Sequence, residues 1–203
     1  MTTDQTTPVP PLEPAPTAPA TPRLALSVIG VGGAGVNAVS QMARQELHGV
    51  SFAAVHTNED VLQRAPLSRR VQIGARLTRG FSAGGDPDLG RAAAEQDAEP
   101  LRDLFQGVEL AFVVAGLGGG TGTGAAPVVA RLAKESGALV LALVTLPFEF
   151  EGARRQLQAS EGVEALRTTA DGLICLPNQK VLQLLDESTR AVVWYSPMCA
   201  LRT

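Results

Sequence analysis

Two kinds of segment alternate along this chain. Short runs that are mostly apolar, without the in-and-out alternation of a half-buried strand, occupy Leu24–Gly30, Ser51–His56, Glu109–Ala115, Ala138–Thr145 and Gly172–Leu176. They read as strands buried on both faces, and Arg70–Ile73 adds a short one. Between them lie longer segments with apolar positions three or four apart. In Ala34–Leu47 these are Val36, Val39 and Ala43; in Asp88–Gln106, Leu89, Ala92, Ala93 and Leu101; in Gly122–Ser136, Val128, Val129 and Leu132. Each predicts a helix, as does Glu151–Thr168, and Gln179–Leu185 begins another. Pro100 should kink or divide its helix, Pro127 lies early enough to be tolerated, and Gly137 marks a stop. The alternation predicts an α/β fold: a doubly wound, mainly parallel sheet with helices on both faces. Ligands in such sheets sit at the carboxyl ends of the strands.

Two glycine-rich loops fall at such ends. Gly30-Val31-Gly32-Gly33-Ala34-Gly35-Val36-Asn37 follows the first strand, and Gly118-Gly119-Gly120-Thr121-Gly122-Thr123-Gly124 follows the strand Glu109–Ala115. Glycine allows close approach of backbone to a bulky anion, and free N–H groups at a helix start point at it. Thr78–Pro87 (TRGFSAGGDP) is a third glycine-bearing loop. The first loop alone fits a dinucleotide fingerprint, with Glu59 or Asp60 imitating the ribose-binding acid, or merely a tight turn. The second loop has five Gly and two Thr in seven residues, more than a turn requires. It suits a nucleoside triphosphate held from two sides, with Thr121 and Thr123 offering hydroxyls to phosphate oxygens or a metal-bound water. No Lys follows either loop, so the Walker pattern is absent and backbone N–H groups would hold the phosphates.

Composition narrows the picture. Residues 1–23 are Pro-, Thr- and Ala-rich and read as a disordered arm, without a signal peptide's basic start and apolar stretch. The remainder suits one ordinary domain. A net charge of −3 without a basic block argues against a nucleic-acid surface. No run reaches the ~20 apolar residues of a membrane helix. Cys175 and Cys199 form no framework and no metal-ligand spacing, and read as buried or free thiols in a reducing cytosol.

The stretch SVIGVGGAGVNAV, with FAAVHTN, IGARLTRGFSAGGDPDLGRAAAEQD, FVVAGLGGGTGTGAAPVVA, VTLPFEFEGARR and LICLPNQKVL, resembles the bacterial cell-division GTPases of the FtsZ family, in the tubulin/FtsZ superfamily. The resemblance covers Leu24–Leu185. It implies GTP or GDP as ligand with Mg²⁺, and phosphate, ribose and base contacts from Gly33, Ala34, Gly35, Val36 and Asn37. It places Ala83, Gly84 and Gly85 near the terminal phosphate, and Gly119, Gly120, Thr121, Gly122, Thr123 and Gly124 around the phosphates. Glu151 and Arg155 match ribose- and base-edge contacts, and Asn178 a guanine-contacting amide. On residue chemistry alone, Glu151 and Arg155 are an i, i+4 surface pair, and Asn178 a turn or cap residue.

The chain also departs from that family. Its usual Asn-Thr-Asp loop reads His56-Thr57-Asn58, so an amide replaces the carboxylate that would help order a magnesium water shell; Glu59 or Asp60 are shifted substitutes. Ala34, Val36 and Ser82 replace usual glycines, changes that look tolerable, and His56 reads as a loop-edge histidine rather than a catalyst. Residues 186–203 diverge: Pro197 would break a helix, and Tyr195 is the nearest candidate for stacking on a base. No Asn-x-Asp-x-x-Asp pattern, the acidic loop of the family's second domain, occurs in Met1–Thr203. The expectation is a truncated, frameshifted or naturally short family member: an arm over 1–23, a GTP-binding domain over 24–185 and a divergent tail over 186–203, with the second domain absent. It has no catalytic residue or metal ligand of its own. It would pair head to tail with itself or with full-length subunits that supply the acidic loop, in the cytoplasm at the division site, without nucleic-acid or direct membrane contact. The rival readings are a non-catalytic filament modulator or cap, and a nicotinamide-dependent oxidoreductase.

Overall fold

Strands that are apolar on both sides need a helical layer on each face, and the computed structural model, which describes residues 24–45 and 47–180, has that arrangement. Strands β1 (Leu26–Val31), β2 (Val50–His56), β3 (Arg69–Gln72), β4 (Leu110–Gly116), β5 (Leu139–Leu146) and β6 (Gly172–Pro177) form one sheet in the order β3-β2-β1-β4-β5-β6. Every neighbouring pair is parallel. The helices are α1 (Gly32–Ala43), α2 (Glu59–Arg64), α3 (Ala75–Thr78), α4 (Pro87–Gln96), α5 (Ala98–Arg102), α6 (Gly120–Glu135) and α7 (Ala153–Thr169).

The sheet's pleat sorts the core into two layers. Val28, Ala54 and Val114 pack with Val36 and Val39 of α1 and Leu62 of α2. Ile29, Val31, Ala53 and Val113, at an odd number of residues from these along their strands, pack with Leu101, Phe105, Val129 and Leu132 on the other side. Among the described residues the β5–β6 end is less covered, with Leu139 and Ile174 about half exposed. No described helix is long and apolar enough to cross a membrane.

Each predicted strand forms within two residues of its expected bounds. The predicted helix Asp88–Gln106 divides as foreseen, but at Asp97 rather than at Pro100. The Asp97 carboxylate leaves the helical path to accept the Gly74 N–H at 2.6 Å. Pro100 then falls in the first turn of α5, where its missing N–H has no helical partner to lose. Pro127 is tolerated as expected: α6 runs unbroken over Gly120–Glu135 with the proline inside it, which leaves the Thr123 carbonyl without its usual donor. Helix α2 was not expected; Asn58 starts it by accepting the N–H groups of Asp60 and Val61. The expected arm over 1–23, the helix from Val181 to Leu185 and the tail over 186–203, with Tyr195, Pro197 and Cys199, lie outside the described residues. Cys175 is free and half-buried in β6.

Candidate functional site

The sheet order reverses between β1 and β4. The chain runs outward from β1 through β2 to β3, then returns to β4 and continues to β6. The two glycine loops are the connections leaving β1 and β4, so both open at this reversal, where doubly wound sheets bind ligands. Helices α1 and α6 begin there with no side-chain cap and no acidic residue in their first turns. By contrast, Asn58 and Asp86 cap α2 and α4. Two uncapped helix starts side by side present free N–H groups and the positive ends of two dipoles.

The glycines divide into two groups, which corrects the expectation that packing would not require so many of them. A side chain at Gly35 would meet the Val114 carbonyl oxygen at 2.2 Å, and one at Gly32 the Gly122 nitrogen at 2.7 Å. Gly122 lies as tightly on the Gly116 carbonyl, Gly120 on Asp86 and Ala83, and Gly124 on Pro87, with the last contact at 1.9 Å. These glycines let β4, α1, α4 and α6 close on one another. At Gly119, Gly84 and Gly85 an added Cβ meets nothing within 4 Å, and at Gly33 only the His56 imidazole at 3.7 Å. Space for an anion therefore lies along Gly33, Gly84, Gly85 and Gly119. Gly120 is a loop-to-loop contact.

The third loop joins this edge. The Asp86 N–H turns back onto the Ala83 carbonyl at 2.9 Å, and Ala83 is buried. The Gly85 carbonyl accepts from Gln158 at 3.0 Å and from Arg154 at 3.5 Å. Neither α7 side chain is marked by a pattern in the sequence: Arg154 and Gln158 lie on either side of Arg155 in a mostly polar run. Ala34 and Asn37 lie on the exposed side of α1, while Gly35 and Val36 are buried.

Both threonine hydroxyls already have protein partners. Thr123 Oγ1 accepts the Gly118 N–H at 2.9 Å and closes its own loop, and Thr121 Oγ1 bonds Thr57 Oγ1 at 3.0 Å, tying β2 to the second loop. Glu151 accepts the Phe148 N–H and pairs with the Arg155 guanidinium. Arg155 also packs its backbone against Gly118, so this pair borders the second loop. Asn178 follows β6, one step past the Leu146–Pro177 pair, at the same sheet edge. Contacts thus join Ala83, Gly85, Gly120 and Arg155 to the glycine loops at this edge, while Asn37 and Asn178 are placed beside it by α1 and by the end of β6.

His56 ends β2 and is buried. Its Nδ1 accepts the Asn58 N–H at 2.7 Å, which places the neutral ring's proton on Nε2. Burial pushes the imidazole down to about 4. The unfolded ring takes a proton near pH 6.5, the folded one only near pH 4, so between these values the unfolded chain binds more protons. Stability should fall as pH drops through that window, by about 1.4 kcal/mol for each unit. Glu135 and Asp171, both held low chiefly by side-chain hydrogen bonds from Arg131 and Lys134, add their losses only in more acid solution. Urea melts at pH 7 and pH 5 check this, and equal midpoints would contradict it.

Among the described residues no group of three His, Cys, Asp or Glu side chains could hold a metal ion. Asn58 Oδ1, which stands where a magnesium-ordering carboxylate was expected, already serves two N–H groups of α2.

Comparison with known proteins agrees with this geometry. The model of the tubulin/FtsZ family GTPase domain matches residues 25–186. An empty FtsZ dimer from M. jannaschii superposes with a TM-score of 0.78 at 40% identity, covering 81% of this chain and 48% of that one. CetZ2 from Haloferax volcanii, in a GTPgS-bound protofilament, gives 0.70 at 36% identity, over 77% of this chain and 50% of its own. GDP-bound monomeric CetZ1 from the same organism gives 0.69 at 31% identity, over 76% and 51%. The chain spans about half the length of these structures. With its sheet order, its paired glycine loops and this match over most of its length, the chain belongs to the tubulin/FtsZ family through that family's GTPase domain.

Proposed function

We propose that this chain binds GTP and GDP at the reversal between β1 and β4, as part of an FtsZ-type division protein. The observation that carries the reading is the convergence of two uncapped helix starts with glycines that leave open space. The phosphates rest on the N–H groups that open α1 and α6, with Ala83, Gly84 and Gly85 closing over the terminal one. Arg155, steered by Glu151, meets the ribose and base edge, and Asn37 and Asn178 read the guanine. Two helix dipoles and the oriented N–H groups stabilise the charge that builds on the phosphates during hydrolysis.

A magnesium ion fits this site only as a companion of the nucleotide. Asn58 Oδ1 already accepts two N–H groups of α2 and the Thr57 and Thr121 hydroxyls bond each other, so the chain offers the ion hydroxyl lone pairs at most, and phosphate oxygens and water would supply most of its ligands. Bound there, it would neutralise phosphate charge.

Hydrolysis needs a water oriented beside the terminal phosphate, and we assign that task to an acidic loop from a neighbouring, full-length subunit docked head to tail. The edge exposes Phe81 and Phe150, apolar surface suited to such an interface. The site would then act in the cytoplasm, where filaments gather for division. A second reading is that the chain caps or modulates filaments without turnover, and the two differ in whether phosphate is released when a family subunit docks on this edge.

Calorimetric titration with GTP, GDP, ATP and NADH tests the assignment. GTP and GDP should bind, and ATP and NADH at least tenfold more weakly. Equal binding of ATP would remove the guanine assignment, and preference for NADH would favour the oxidoreductase reading.

A further inference from the structure

At this edge His56 is a buried side chain whose ring has a second nitrogen to spare. It is 4% exposed, and among the described residues its one hydrogen bond is the acceptance of the Asn58 N–H by Nδ1 at 2.7 Å. That bond leaves a proton on Nε2 with no protein acceptor. The register Val31–Val55 sets the end of β2 beside the start of α1, and Nε2 lies 3.7 Å from where a Gly33 side chain would begin. Gly33 is the second residue of α1, in the open space at that helix's uncapped start.

We propose that His56 Nε2–H is a phosphate-contacting donor, bonding an oxygen of the anion seated at the start of α1 and so adding a neutral side-chain donor to the backbone cradle. The proposal rests on the nucleotide reading above for the identity of that anion. Its chemistry is simple. Among the described residues Nε2–H has no protein acceptor, and a phosphate oxygen supplies a charged one. Because burial keeps the ring neutral at physiological pH, no charge has to be held in the site before the ligand arrives. The same ring anchors the turn into α2 through Nδ1, so it links the phosphate cradle to Asn58 and the loop before that helix.

Two substitutions separate the ring's ends. In His56→Asn the side-chain oxygen can still accept the Asn58 N–H, but nothing reaches Nε2's position. In His56→Gln the amide nitrogen reaches that position, and the Nδ1 acceptor is lost. GTP and tripolyphosphate affinities of both variants and the wild type are measured by calorimetry, with a thermal melt for each. The imidazole nitrogens of ¹⁵N-histidine-labelled wild type are followed by NMR. We expect about a tenfold loss of affinity for His56→Asn, near wild-type affinity for His56→Gln, and a downfield shift of the Nε2 proton when either ligand binds. Wild-type affinity in His56→Asn, a loss confined to His56→Gln, or an unmoved Nε2 signal in the bound protein would each overturn the proposal. If tripolyphosphate moves the signal and GTP does not bind, the nucleotide reading fails while the donor role stands. If neither binds, both fail.

Discussion

Purified alone, Met1–Thr203 should release phosphate from GTP about 10²- to 10⁴-fold more slowly than it does beside a family subunit carrying the acidic loop, the usual contribution of a positioned catalytic group. The reason lies in what the carboxylates at the site already do. Asp86 caps α4 by accepting two N–H groups. Glu151 accepts the Phe148 N–H and holds Arg155, and Glu59 accepts from Gln63. Asp60 sits in the first turn of α2, where its charge favours the helix. None of these roles orients a water. A phosphate-release assay with the chain alone and with increasing amounts of a full-length homologue measures the difference. Turnover that rises with the concentration of the chain alone would show that the acid comes from within these residues, and Asp60 would then be the first to substitute. Docking without turnover, seen as shortened filaments of the homologue, would favour the capping reading.

Gly124→Ala should destabilise the fold by about 3 kcal/mol, the upper end of ordinary overpacking, and lower Tm by about 6–12 °C. The new methyl would lie 1.9 Å from the Pro87 carbonyl oxygen and 2.6 Å from the Arg91 nitrogen, both backbone atoms of α4. Backbone cannot swing aside as a flexible side chain does, so α4 and α6 would have to part. That contact also aligns Asp86 and Ala83 over Gly120, so the third loop should be displaced with it. A differential scanning calorimetry trace matching the wild type would refute this account of the glycine.

That contact shows where sequence reasoning stops. A glycine-rich loop between an apolar run and a helix is a local pattern, and it located both helix starts. Which glycine faces a ligand and which faces another chain segment depends on contacts between residues far apart in sequence. Gly124 meets Pro87, Gly35 meets Val114, and nothing near either glycine reveals it. For the same reason the sequence does not reveal that a side chain at Gly120 would strike Asp86 and Ala83. Helix α2 is legible in the sequence: Asn58 followed by Glu59 and Asp60 is an N-cap with acidic residues in the first turn. The division at Asp97 is not, because its cause is a bond to Gly74 across the fold. His56 stood out only as a departure from the family's usual residue; its burial and its aim at Gly33 needed the parallel pairing of β1 and β2.

The central claim is that an anion occupies the open space at the β1–β4 reversal, and Gly119→Ala tests it most directly. Gly119 has extended backbone that any residue adopts (φ −105°, ψ −178°), and an added Cβ meets nothing within 4 Å. The fold should therefore lose no more than about 1 kcal/mol, the cost of alanine at a helix N-cap. Bound phosphate would fill the space the methyl enters, and overpacking of about 1–3 kcal/mol corresponds to roughly a 5- to 150-fold loss of GTP affinity. A calorimetric GTP titration of folded Gly119→Ala against the wild type should show that loss with Tm nearly unchanged; wild-type affinity in a folded Gly119→Ala would contradict it.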